Sequence, residues 1–125
     1  MTGARRIEDL RCWQEARALA IDLEALLQAS PAVHSFHADQ LRRAAISVSN
    51  NIAEGFARFT ASEFHRFLRI ARASCIEISS LLTTGKDLAV LDPEKSGQAS
   101  LQCEKVTALV TRLMRHLRDS GRRKK

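Results

Sequence analysis

The chain has 125 residues, 45% of them hydrophobic and 27% charged, which suits one soluble domain around a single core. No run of about 18 apolar residues is present, so no membrane span is expected. The opening stretch MTGARRIEDLRCW lacks the apolar centre of a secretion signal, and a cytoplasmic location is the expectation. The formal net charge is +6, but four of those charges belong to Arg122, Arg123, Lys124 and Lys125, so the body before them is close to balance. An acidic partner must therefore be met by a local patch together with this tail.

The first helical segment is expected from Glu8 to Ala29. Trp13, Ala16, Ala20, Leu23 and Leu27 alternate spacings of three and four, which places them on one helix face. Ser30-Pro31 ends it. A connection from Ser30 to Ala38 carries Phe36 and leads to Asp39, the expected N-cap of the second helix. That helix puts Leu41, Ala45, Val48, Ile52, Gly55 and Phe59 on one stripe. Thr60-Ala61-Ser62-Glu63 matches a capping box and starts the third helix. There Phe64, Phe67, Ala71, Ser74, Ile78 and Leu81 form the stripe, widened by Leu68, Cys75 and Leu82. Asp92-Pro93 combines an N-cap with proline at the first helical position and opens the fourth helix. Its stripe is Ala99, Cys103, Val106, Val110, Leu113 and Leu117, and its end is expected before Gly121.

No period-two pattern is sustained anywhere. Four amphipathic segments with short links predict an all-α, antiparallel four-helix bundle over residues 1–120, with residues 121–125 as a basic disordered tail. Cys12, Cys75 and Cys103 form an odd set without paired spacing, which argues against a disulfide framework and a zinc knuckle. Cys75 and Cys103 fall on apolar stripes and read as small buried hydrophobes.

Ser47 to Gly55, SVSNNIAEG, is an unusual centre for a helix. Ser, Val and Asn are mediocre helix formers and Gly is a poor one. On a wheel of about 100° per residue, Ser47, Asn50 and Glu54 lie opposite the core stripe, with Ala44 and Asn51 on one flank. A solvated face normally carries Lys, Glu and Arg. This one is small, polar and mostly uncharged between Arg43 and Glu54. On the third helix, Ile70, Ala73 and Ile76 lie off the main stripe, with Glu77 among them. These residues read as an oligomer interface: small side chains permit close helix approach, and Asn and Glu can bond across the contact. A solvated polar face that lacks Lys is the alternative.

The run QLRRAAISVSNNIAEGFAR followed by EFHRFLRIARASCIEI closely resembles the four-helix bundle family of 23S rRNA intervening-sequence proteins. The accessory variability determinant of diversity-generating retroelements belongs to the same superfamily. Gln40-Leu41-Arg42-Arg43-Ala44-Ala45, Asn51-Ile52-Ala53-Glu54-Gly55-Phe56, Glu63-Phe64, Arg66-Phe67-Leu68 and Ile70-Ala71-Arg72 follow the family pattern in order. Trp13-Gln14 extends the likeness toward the start of the chain. One departure is Ser49, where the family usually has proline, so the kink a proline would impose is expected to be weaker there. The resemblance implies a left-handed up-down-up-down bundle, commonly assembled as a ring-like homo-oligomer, a five-fold ring with a central channel. In the retroelement branch it implies binding to a reverse transcriptase and its structured RNA through a basic surface.

Arg66, Arg69 and Arg72 form a basic stripe on the third helix, and Arg42, Arg43 and Arg58 lie on the second. With Arg122, Arg123, Lys124 and Lys125 they are candidate nucleic-acid contacts, because guanidinium groups grip phosphate in bidentate fashion. Arginines at this spacing also suit a solvated face or intersubunit salt bridges. Arg112, Arg115 and Arg118 form a second stripe near a helix C-terminus, where cations are favoured without any ligand. The chain has no Tyr, and its five Phe fit core, cap or loop positions, so no aromatic stacking platform is expected.

His34 and His37 lack further ligands at metal-binding spacing, and no metal or cofactor is expected. Glu54 and Glu77 are explained more simply by pairing with Asn51, Ser74 or an Arg than by acid–base work. Gly55, Gly85 and Gly97 are isolated rather than part of a phosphate loop. The chain is expected to be non-enzymatic. It reads as an oligomeric scaffold that binds nucleic acid, structured RNA foremost, as an accessory to a nucleic-acid enzyme such as a reverse transcriptase. The alternative is an oligomeric protein-interaction module with no nucleic-acid role.

Overall fold

The computed structural model describes residues 4–123, with side chains described through Ser120. A short 3-10 turn, Ile7–Asp9, precedes four helices: α1 (Arg11–Gln28), α2 (Ser35–Phe56), α3 (Ala61–Asp87) and α4 (Pro93–Arg123). Among the described residues there is no strand, and no helix is long and apolar enough to cross a membrane. Each helix packs against two others around one core, and α2 and α3 share the longest seam. The expected stripes supply most of that core, and α1 adds Leu19 and Leu26 from beside its stripe. Leu19, Leu23, Leu41, Val48, Ile52, Leu68, Ile78, Val106, Val110 and Leu117 are almost completely buried. Phe59 is the exception: the chain leaves α2 at Phe56, and Phe59 stands in the turn, 98% exposed.

Polar contacts tie the seams together. Between α1 and α4, Gln102 donates to the Glu15 carboxylate at 2.8 Å and Lys105 pairs with it at 3.1 Å. Those partners hold the Glu15 carboxyl below its ordinary pKa. Between α1 and α2, the Arg42 guanidinium takes both Glu24 oxygens at 2.9 and 3.1 Å. Between α3 and α4, the Cys103 thiol donates to the Cys75 carbonyl at 3.2 Å. All three cysteines are buried and free. Burial pushes the Cys12 thiol up to about 11, and the adjoining Cys103 thiol together with burial pushes Cys75 up as well. Protonated thiols of this kind behave as small apolar groups.

Besides the early end of α2, three boundaries depart from the pattern in the sequence. Helix α2 begins at Ser35 rather than after Asp39, because His34 caps it: its Nδ1 accepts the Phe36 N–H at 3.1 Å. Histidine is an unusual cap, so the standard N-cap residues pointed too far along the chain. Helix α1 is preceded by the 3-10 turn, which takes Glu8 out of the helix. Helix α4 continues through Gly121 to Arg123, where the sequence placed a stop and a disordered tail. Glycine weakens a helix interior by about 1 kcal/mol but does not forbid it. Lys124 and Lys125 lie outside the described residues.

Candidate functional site

The turn between α2 and α3 is set by one glycine and one cap. A Cβ on Gly55 would stand 2.7 Å from Phe64 Cδ1 and 3.2 Å from the Phe64 carbonyl oxygen, so the first turn of α3 can lie against α2 only because the side chain is missing. Thr60 then caps α3. Its hydroxyl oxygen accepts the Glu63 N–H at 3.1 Å and lies 3.3 Å from the Glu63 carboxylate, to which it can donate. The Phe64 ring is buried and meets Phe56 edge-to-face, with centroids 6.3 Å apart. This tight closure leaves Arg58 and Phe59 outside.

Phe67 is half-buried beside this turn and organises two cations. The guanidinium carbon of Arg58 lies 4.8 Å from its ring centroid, and that of Arg66 lies 4.6 Å from it. Cation–π contacts at this range restrict long side chains that would otherwise sample many rotamers. Arg58 also pairs with Glu54 at 3.1 Å. Arg66 and Arg69 are exposed and make no ion pair among the described residues. His65 sits next to them. Burial, then the charges of Arg69 and of Arg118 on α4, hold its pKa below the ordinary histidine value. The α4 stripe that looked separate in the sequence therefore contributes Arg118 to the same end of the molecule.

The other expected phosphate contacts are not part of this group. Arg42 is engaged by Glu24 and lies 3.7 Å from Asp39, so its charge braces α1 against α2. At a rise of 1.5 Å per residue, Arg42 and Arg43 lie roughly 20 Å or more along α2 from Arg58. Arg43 is exposed. Arg72 turns toward α4 and donates to the Thr111 hydroxyl at 3.0 Å. The side chains of Arg122 and Arg123, with all of Lys124 and Lys125, lie outside what the structure describes.

The expected interface divides in two. Ala44 is buried in the chain's own core and has no area to offer a sibling. The Ser47 and Ser74 hydroxyls bond each other at 2.7 Å across the α2–α3 seam. Asn51 donates from Nδ2 to the Ser47 carbonyl at 2.8 Å and to its hydroxyl at 3.1 Å. Much of the small polar run therefore serves closure within one chain. A helical wheel locates these residues off the core stripe but does not say on which flank α3 packs. Asn50, Glu54, Ile70, Ala73, Ile76 and Glu77 remain exposed, with Ile70 at 42% and Ile76 at 50%. Glu54 finds its partner in Arg58 rather than in Asn51 or Ser74.

Both histidines of the 34–37 pair are used by the fold. His34 caps α2, and His37 Nε2 lies 2.9 Å from the Leu81 carbonyl. Among the described residues, no group of three His, Cys, Asp or Glu is placed to hold a metal ion. Phe59 and Phe67 are the residues that sequence reasoning missed. Phe67 sat on a core stripe, and Phe59 fitted the extended pattern of α2. The signal available was that Arg58 and Arg66 flank them in sequence on both sides of a predicted helix break.

The molecule is thus a four-helix all-α protein whose exposed arginines sit on helix faces and at one turn. The chain belongs to the 23S rRNA-intervening sequence protein family, whose family model matches residues 8–112. No curated protein matches it.

Proposed function

We propose that the protein is a non-enzymatic, homo-oligomeric scaffold that binds structured RNA in the cytoplasm, as an accessory to a nucleic-acid enzyme such as a reverse transcriptase. The observation that carries RNA binding is the set of exposed arginines at the α2–α3 turn, of which Arg66 and Arg69 lack acidic partners among the described residues. Unpaired guanidinium groups are available to phosphate without first breaking an ion pair. The contacts also favour an up-down-up-down order. The start of α2 meets the end of α3 through His37 and Leu81, and the end of α2 meets the start of α3 through Gly55 and Phe64.

The exposed strip of Ile70, Ala73 and Ile76 supports assembly, because an apolar strip beside polar residues suits a contact between copies. A ring of five is the form that the family likeness implies. Ile76→Arg should leave helicity unchanged and reduce the solution mass measured by light scattering, since the change would place a charge in the contact. A wild type that is monomeric at high micromolar concentration would remove the assembly. Gel-shift titration with a structured RNA should show binding that weakens steeply with salt, as released counterions require. No shift at low salt would leave the protein-interaction module as the reading.

A further inference from the structure

Phosphate contact accounts for the arginines at the α2–α3 turn but not for the ring among them. Phe59 is 98% exposed, more than any other large hydrophobic side chain described. It takes no part in closing the turn, which rests on Gly55, the Thr60 cap and the Phe56–Phe64 contact. Its sequence neighbours are Ala57, Arg58, Thr60 and Ser62, all exposed, with no large aliphatic among them. A surface that captures a protein or enters a lipid layer surrounds its aromatic anchor with further apolar area. In sequence this ring is flanked by small residues and by the cation Arg58 instead. Arg58 and Arg66 are held against Phe67, so their charges stand close to the turn with part of their freedom already removed.

An open aromatic face beside pre-ordered guanidinium groups is complementary to an unpaired nucleotide. The base has a π face for the ring, and the strand has phosphates for the arginines. A base inside a duplex is already stacked on both sides and cannot use such a ring. We infer that Phe59 is a stacking platform for one unpaired base of a bound RNA strand, with Arg58 and Arg66 holding the flanking phosphates. The inference rests on the RNA-binding reading above and narrows its ligand to RNA with unpaired nucleotides.

The test compares two labelled probes by fluorescence anisotropy at low salt: a short RNA hairpin with a single-stranded loop, and a blunt RNA duplex of equal length. The wild type should bind the hairpin more tightly. Phe59→Ala, at a fully exposed position, should melt like the wild type, weaken hairpin binding about tenfold, the effect of losing one base–aromatic stack, and leave duplex binding unchanged. Phe59→Trp should retain hairpin affinity, and its added fluorescence, read against wild type with Trp13 alone, should be quenched by the hairpin. Arg66→Gln should weaken both probes. Unchanged hairpin binding by Phe59→Ala, an equal loss on both probes, or an unquenched tryptophan would overturn the platform while RNA binding stands. If the wild type binds neither probe, the RNA-binding reading itself fails.

Discussion

The two turns that flank α3 use the same closing device and finish it differently. Each places a glycine under a residue of the following segment: Gly55 under Phe64, and Gly85 under Leu91. At the α3–α4 turn the bonds point inward. The Val90 N–H reaches the Gly85 carbonyl at 3.1 Å and the Ala89 N–H reaches the Lys86 carbonyl at 3.0 Å, the paired bonds of a Schellman ending. Asp92 then donates its backbone N–H to the buried Ser30 hydroxyl at 2.9 Å, and Leu91 is tucked into the core. Leu88 stays outside, but it is less exposed than Phe59. At the α2–α3 turn, the closure is as tight but Phe59 and two ring-held arginines face solvent. A short helix connection can therefore tuck one apolar residue, Leu91, into the core, whereas the α2–α3 turn leaves Phe59 wholly in solvent.

The largest difference between the two turns is expected at their glycines. Gly55→Ala would push a methyl group against the Phe64 ring and backbone carbonyl, which cannot both yield. A net loss of about 2 kcal/mol is expected in urea unfolding, after the gain in helix propensity. Gly85→Ala meets the Leu91 side chain first, which can rotate, so its loss should be smaller. Equal losses would mean that the two closures do not differ in stiffness.

At the α3–α4 turn, Ala89 carries backbone strain. It adopts φ 57°, the left-handed region that favours glycine. Ala89→Gly should raise stability by about 1 kcal/mol, because the Cβ strain of that conformation is removed. Thermal melting should show the gain with no change in RNA binding. Gly97 lies in α4, and a methyl group added there would meet nothing within 4 Å. Gly97→Ala should therefore stabilise by roughly 0.5–1 kcal/mol through helix propensity alone, again read by thermal melting.

The smallest expected effect concerns acid. The folded-state pKa of His65 lies below its unfolded value near 6.5, so the unfolded chain binds the proton more readily. Stability should be full above pH 6.5 and should fall as the pH drops below that value, through the depressed folded pKa. His65→Gln should flatten the wild-type stability profile below pH 6.5, measured by urea unfolding at falling pH. A profile identical to wild type would show that neither burial nor the charges of Arg69 and Arg118 depress the pKa of this ring.

Much of the bundle was legible in the order of residues. The stripes on α3 and α4 hold the core because burial of apolar area follows helical period, and the Thr60 and Asp92 caps lie where their side chains can satisfy free backbone N–H groups. The start of α2 was less legible, because the His34 cap depends on one ring nitrogen finding one N–H. The candidate site was legible only in part. Arg66 and Arg69 were marked by charge and make no ion pair among the described residues, but Arg42, Arg58 and Arg72 carry the same charge and are engaged by Glu24, Glu54 and Thr111.

The pattern of apolar and polar residues alone determined that this chain forms four amphipathic helices with one shared core. That information is local, written in spacing, capping residues and glycine positions. Which flank of each helix meets which neighbour was decided only by tertiary packing. That packing turned Ser47 inward upon Ser74, buried Ala44, gathered Arg118 beside His65 and left Phe59 in water. These outcomes depend on distances between residues far apart in sequence, and helical periodicity carries no record of those distances.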